Sequence, residues 1–141
     1  MKNLGLTVKV VVLFAILCMI PSCAINPVTG KKQLMFMSEA QEIAMGAQYD
    51  PQVLATFGLY QDAALNAFVQ KIGNEMGAIS HRPNLQYHIK VVDSPVVNAF
   101  AVPGGYIYLT RGILAQLNNE AELVGVIGHE MGHITARHSV S

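Results

Sequence analysis

The sequence predicts an α+β fold in which a metal-binding helix packs beside a small sheet or hairpin. Three observations predict it. Apolar residues recur at helical spacing over residues 38–48, 63–76 and 120–136. Between the second and third of these the period drops to two, and two apolar segments flank Pro103-Gly104-Gly105. Near the far end, His129-Glu130-Met131-Gly132-His133 has the form H-E-x-x-H, a pattern that has chemical meaning when it lies on a helix.

The N-terminal elements concern export rather than fold. Lys2 and Lys9 precede an unbroken apolar run from Val10 to Ile20, and Pro21-Ser22-Cys23 follows. The run is too short to span a bilayer, which needs about 20 apolar residues, but it suits a signal-peptide core. Residues 1–22 are therefore expected to be a lipoprotein signal peptide. Ile20-Pro21-Ser22-Cys23 resembles a bacterial lipobox, which implies that Cys23 is lipidated and becomes the new N-terminus. Cysteine usage agrees. Cys18 lies in the apolar run and would be removed, leaving Cys23 as the sole thiol of an exported chain. The competing readings are an ordinary secretory signal with an incidental Cys, or a retained membrane anchor. Ala24, a residue other than Asp after the Cys, favours outer-membrane sorting by resemblance to lipoproteins of double-membraned bacteria. Nine basic residues balance nine acidic ones, so nothing points to nucleic acid as a partner.

Residues 23–37 read as a tether, because Asn26-Pro27-Val28-Thr29-Gly30 is turn-rich and polar. Ser38 with Gln41 forms a capping-box pair that opens a helix to about Gln48, and Asp50-Pro51 is expected to break it. Asp62 caps a helix from Ala63 to Met76 with Leu65, Phe68, Val69 and Ile72 on one face. Leu85, Tyr87, Ile89 and Val91 then alternate with Gln86, His88 and Lys90, the pattern of a strand with one wet face, and His88 reads as solvated. Val96–Val102 and Tyr106–Thr110 form a hairpin around Pro103-Gly104-Gly105. Gly112–Leu117 reads as a short helix.

The last helix carries the chemistry. Asn119 is its N-cap, and Glu122 completes a capping-box-like pair. Residues four apart on a helix lie about 40° apart in azimuth and about 6 Å along the axis, so His129 and His133 can reach one metal ion. Glu130, about 100° round, stands where a general base would take a proton from the attacking water. Leu123, Val124, Ile127, Met131 and Ile134 form an apolar face. Ala121, Gly125, Gly128, Gly132 and Ala136 form a face with almost no side chain. Glycine in a helix interior costs roughly 1 kcal/mol relative to alanine, so a close-packed neighbour is expected along that face. The competing reading of the motif is two ordinary helix histidines. A random H-E-x-x-H is expected in a chain of this length on the order of once in a few hundred.

Asn98-Ala99-Phe100-Ala101-Val102-Pro103-Gly104-Gly105-Tyr106-Ile107, Thr110-Arg111-Gly112-Ile113-Leu114, and His129 to His133 with Arg137-His138 resemble the membrane-associated zinc metallopeptidases. That family includes the CAAX prenyl proteases, HtpX and the mitochondrial Oma-type proteases. Asn26-Pro27-Val28-Thr29-Gly30 with Gln33-Leu34 is similar to its bacterial lipoprotein branch. The resemblance implies a zincin-like catalytic domain, with residues 38–141 as its N-terminal part. His129 and His133 would bind one Zn2+ per chain, and Glu130 would be the catalytic base. The segment Asn98, Ala99, Phe100, Ala101 and Val102 would hold an extended peptide substrate. The family's third ligand is a Glu on a later helix, expected beyond Ser141, so the domain reads as incomplete. His138 lies about 180° from His129 on a continued helix, on the wrong side of the metal. Metzincins place a third His six residues after the second, following a Gly; here the gap is five and Ala136 takes the Gly position.

These readings converge on a zinc-dependent endopeptidase, lipid-anchored at the bacterial cell envelope and acting on misfolded or unassembled envelope proteins. The outer membrane, facing the periplasm, is the expected site. Two rivals stand beside it: a catalytically incomplete fragment, and a lipoprotein that binds zinc or a partner without hydrolysis. Glu130 argues against the second, because zinc storage needs no base.

Overall fold

The computed structural model describes residues 23–25, 32–34 and 37–138. The expected signal peptide, residues 1–22, lies outside them. Within the segment read as a tether, β1 (Cys23–Ile25) pairs antiparallel with β2 (Lys32–Leu34). The remaining order is α1 (Glu39–Phe57), α2 (Ala63–Ala78), β3 (His88–Val92), β4 (Ala99–Val102), β5 (Tyr106–Thr110), α3 (Arg111–Leu114) and α4 (Glu120–Thr135). The fold is α+β.

The larger sheet has the order β3-β5-β4. β5 is central. It pairs parallel with β3, Ile89 opposite Ile107, and antiparallel with β4, Ala101 opposite Ile107. Side-chain alternation divides its two faces. Ile89, Val91, Ile107 and Leu109 turn to one side and form the core with Val69 and Ile72 of α2 and with Leu123, Ile127, Met131 and Ile134 of α4. Gly73 permits this packing, since a Cβ there would lie 2.2 Å from the Ile89 side chain.

The other face of the sheet is covered by α1, which corrects the expectation of a wet strand face. Gly46 sits against the Pro103 carbonyl and Tyr106. Phe57 packs on Phe100, whose ring stacks in turn on Tyr108 at 5.1 Å. Asp50 accepts from Lys90 Nζ at 2.6 Å and from the Tyr108 hydroxyl at 2.8 Å. Burial, reinforced by the Asp50 hydrogen bond, raises the Tyr108 phenol far above its ordinary range. His88 is half-buried rather than solvated: it stacks on Tyr106 at 4.4 Å, and burial, with the Lys90 charge second, lowers its pKa.

The same contacts explain why Asp50-Pro51 does not end α1. Pro51 lies inside the helix. It removes one N–H from the helical ladder, but the chain on either side of it is held by other bonds. Asp50 is tied to the sheet, and Gln52 Nε2 donates to the Gln48 carbonyl at 3.2 Å. The cap residues are as expected. Ser38 and Gln41 form a full capping box, Asp62 caps α2 through Leu65 N, and Asn119 caps α4 through Glu122 N. The β4–β5 connection needs glycine twice, with φ of 83° at Gly104 and 95° at Gly105.

The two edges of the sheet differ. The outer edge of β3 is covered by side chains of α2: Ile89 N donates to Gln70 Oε1 and Val91 N to Asn66 Oδ1. Tyr60 N also donates to Val91 O. Among the described residues no hydrogen bond reaches the outer edge of β4, which runs beside α4. The open edge therefore lies next to the H-E-x-x-H helix.

Candidate active site

Helix α4 is anchored at its start. Asn119 Oδ1 accepts from Glu122 N at 3.0 Å, and Glu122 Oε2 accepts from Asn118 N at 2.8 Å. Glu122 is thus committed to the cap. Burial of Leu123, Ile127, Met131 and Ile134 then fixes the rotation of the helix and turns His129 and His133 outward. Their Nε2 atoms lie 3.2 Å apart, with the rings edge to face. Two nitrogens each about 2.0–2.1 Å from one ion, at a near-tetrahedral angle, would be separated by about that distance. The pair fits a shared zinc ion. Among the described residues, no group of three or more His, Cys, Asp or Glu side chains is placed to hold a metal.

Glu130 is half-buried and, with His129, lines a cleft of about 540 Å³. Val97, Asn98, Ala99, Ile113 and Leu117 line it as well. Thr110 sets that lining in place. Its buried hydroxyl accepts from Asn98 N at 3.2 Å and from Ile113 N at 3.1 Å, and donates to Val96 O at 2.6 Å. Gly112 allows the chain to approach, since a Cβ there would lie 2.3 Å from the Pro95 carbonyl.

The five residues expected to contact substrate separate by face. Asn98 and Ala99 line the cleft. Ala101 packs on the core. Phe100 points to the α1 side between Phe57 and Tyr108, and Val102 is half-buried opposite Tyr106. Among the described residues, the outer backbone edge of the strand as a whole is left without a hydrogen-bond partner.

The small-residue face of α4 differs from its expected role. A Cβ on Gly125 or Gly132 would have nothing within 4 Å among the described residues, and one on Gly128 would meet only the Met76 methyl at 3.2 Å. Gly125 borders the cleft, and Gly132 opens on a shallow groove beside Met76. No close-packed neighbour runs along this face within the described chain.

Sequence reasoning missed two features at the end of α4. The helix stops at Thr135, and Arg137 adopts φ 56°. The chain folds back and brings His138 Nδ1 to 3.0 Å from His133 Nδ1. The azimuth argument against His138 assumed a helix that continues. The second feature is a buried ion cluster. Glu42, 1% exposed, takes a bidentate pair from Arg82 at 2.8 and 3.1 Å. Arg137 Nε lies 3.1 Å from Glu42 Oε2, an ionic contact in which the N–H is not aimed at the oxygen. Arg82 also donates to the Ile134 carbonyl, and Arg137 Nη2 to Met37 O at 2.8 Å. The signal available in the sequence was a Glu in the first turn of an otherwise amphipathic helix, which reads equally well as a helix-dipole residue.

Comparison with known proteins bears on this geometry. The model of peptidase family M48 matches residues 63–141, which include β3 to β5, α4 and the H-E-x-x-H motif. The beta-barrel assembly-enhancing protease of Yersinia pestis is 32% identical over 120 residues, covering 85% of this chain and 25% of that protein. The mitochondrial metalloendopeptidase OMA1 of Arabidopsis thaliana is 44% identical over 61 residues, 43% of this chain and 13% of that protein. The beta-barrel assembly-enhancing protease of Escherichia coli is 28% identical over 102 residues, 72% of this chain and 21% of that protein. The chain spans about a quarter or less of the length of these relatives.

Proposed function

This chain belongs to peptidase family M48, and we propose that it acts as a zinc-dependent endopeptidase held at the bacterial cell envelope by a lipid on Cys23. The observation that carries the catalytic part is the convergence of His129 and His133 Nε2 at 3.2 Å, with His129 and Glu130 lining a cleft that Asn98 and Ala99 also line. His129 and His133 would hold the zinc. When bound, the ion supplies Lewis acidity that polarises the scissile carbonyl and lowers the pKa of water toward about 7. Glu130 takes the proton from the attacking water and delivers it to the leaving amine as the C–N bond breaks. Hydrolysis thus consumes one water and leaves Glu130 as it began.

The backbone edge from Asn98 to Val102 would bind an extended peptide by strand addition, with Asn98 and Ala99 nearest the reacting bond. Such binding selects unfolded segments over folded domains. It fits a role in quality control of envelope proteins. The lipobox-like run before Cys23 supports the anchor, and Ala24 supports the outer membrane. Among the described residues, no helix is long and apolar enough to cross a membrane.

The test compares zinc content and peptide cleavage in the full-length protein, Glu130→Gln and His133→Ala. Glu130→Gln is expected to keep its zinc and lose hydrolysis, at least about 10²-fold if Glu130 is the base. His133→Ala is expected to lose both. Equal loss of zinc in the two variants would make Glu130 structural and overturn the mechanism. A wild-type protein that binds zinc but cleaves nothing would favour a non-hydrolytic binding role.

A further inference from the structure

We propose that His138 is a positioning residue for the zinc ligand His133, and that the buried Glu42–Arg82–Arg137 cluster holds His138 in place. The proposal rests on the zinc reading above. A histidine that binds a metal through one ring nitrogen leaves the other free, and a hydrogen bond to that second nitrogen fixes the ring's orientation and tautomer. His133 directs Nε2 at His129 Nε2, and its Nδ1 meets His138 Nδ1 at 3.0 Å. The far side of the ligand is therefore occupied by a group that can accept its proton. With Nε2 on the metal, His133 carries its hydrogen on Nδ1 and donates it to His138 Nδ1, and His138 keeps its own hydrogen on Nε2.

Helix geometry does not bring these rings together. Five residues along a continued helix would place His138 about 140° from His133. The contact exists because α4 stops at Thr135 and Arg137 turns to φ 56°. A residue with a Cβ takes that conformation rarely, and it persists where its surroundings over-determine it. Here they do. Arg137 Nε lies 3.1 Å from Glu42 Oε2, and Nη2 donates to Met37 O at 2.8 Å. His138 N donates to the His133 carbonyl at 3.2 Å. Glu42 is itself clamped by Arg82 and accepts from Gly104 N at 3.3 Å. The start of α1, the chain after α2, the β4–β5 turn and the end of α4 thus meet on one carboxylate, and the turn that carries His138 hangs from it. The His138 residue is exposed, outside the core, and its ring stacks edgewise on His133 at 5.3 Å. Packing does not explain its placement, whereas an outer partner for a metal ligand does.

The experiment measures zinc affinity by competition with a chelator, using the full-length wild type, His138→Ala and His138→Asn. The melting temperature of each metal-free protein is read alongside. Loss of the outer partner is expected to weaken zinc binding by about 10–100-fold in His138→Ala, with the metal-free melting temperature unchanged because the side chain is exposed. His138→Asn should recover most of the affinity, since its amide oxygen can accept the same proton. Wild-type zinc affinity in His138→Ala would overturn the proposal and leave the zinc reading standing. So would a loss in His138→Ala that tracks a fall in metal-free stability and that Asn fails to rescue. A wild-type protein without affinity for zinc would overturn both.

Discussion

Glycines on α4 show how much a single residue's meaning depends on what lies beyond its Cβ. Gly125, Gly128 and Gly132 share one side of α4, and the cost of three helical glycines suggested a packed neighbour. Among the described residues, a Cβ at Gly125 meets nothing within 4 Å, and one at Gly128 meets the end of a flexible Met76. Gly125→Ala is therefore expected to stabilise the protein by roughly 0.5–1 kcal/mol through helix propensity. Gly128→Leu must displace Met76 and should destabilise it, within the roughly 1–3 kcal/mol typical of overpacking. Denaturant melts of the two variants check this. A loss of stability in Gly125→Ala as large as in Gly128→Leu would restore the close-packed face. Gly125 also borders the cleft beside Glu130, so the space it leaves is available to a substrate side chain.

Between elements, the strongest polar links tie α1 to the rest of the domain. Asp50 joins the middle of α1 to Lys90 of β3 and Tyr108 of β5, and Glu42 joins its first turn to Arg82 and Arg137. The Glu42 side chain is 2% exposed and its partners 7% and 12%. Removing the carboxylate leaves two guanidinium groups competing for water in a buried site. Glu42→Ala is expected to destabilise the fold by about 3–5 kcal/mol, the range for breaking one partner out of a buried pair. Thermal or urea unfolding measures it. A change below about 1 kcal/mol would mean that Arg82 and Arg137 find solvent or other acceptors, and that the cluster does not hold the end of α4.

At the scale of the described molecule, the arrangement separates a covered sheet edge from an open one. One sheet edge is closed by Asn66 and Gln70, and both sheet faces are packed. Among the described residues the edge of β4 remains open, beside His129 and Glu130, where strand addition would present a peptide to the proposed base. A lipid on Cys23 would hold the protein at a membrane surface. Expression in a bacterium with labelled palmitate should label the wild type and leave Cys23→Ser unlabelled. Equal labelling of the two would rule out acylation at this residue and leave the protein without its proposed anchor.

The sequence by itself determined the local elements and the pairing of His129 with His133. Ser38 with Gln41, Asp62 with Leu65, and Asn119 with Glu122 are bonds between residues three apart, so their geometry is written in short stretches of chain. The alternation from Leu85 to Val91 and the four-residue spacing of His129 and His133 are periodicities of the same kind. Tertiary structure decided the rest. Pro51 stays inside α1 because Asp50 is held by a sheet that forms later in the chain. His88 is half-buried because its ring stacks on Tyr106, which α1 meets at Gly46 on the strand face that its polar neighbours had marked as wet. His138 reaches His133 because Glu42, far away in sequence, anchors the turn at Arg137. Each of these outcomes depends on which surfaces meet. Residues that stand close in space but far apart in the chain leave no periodic mark by which one could find the other.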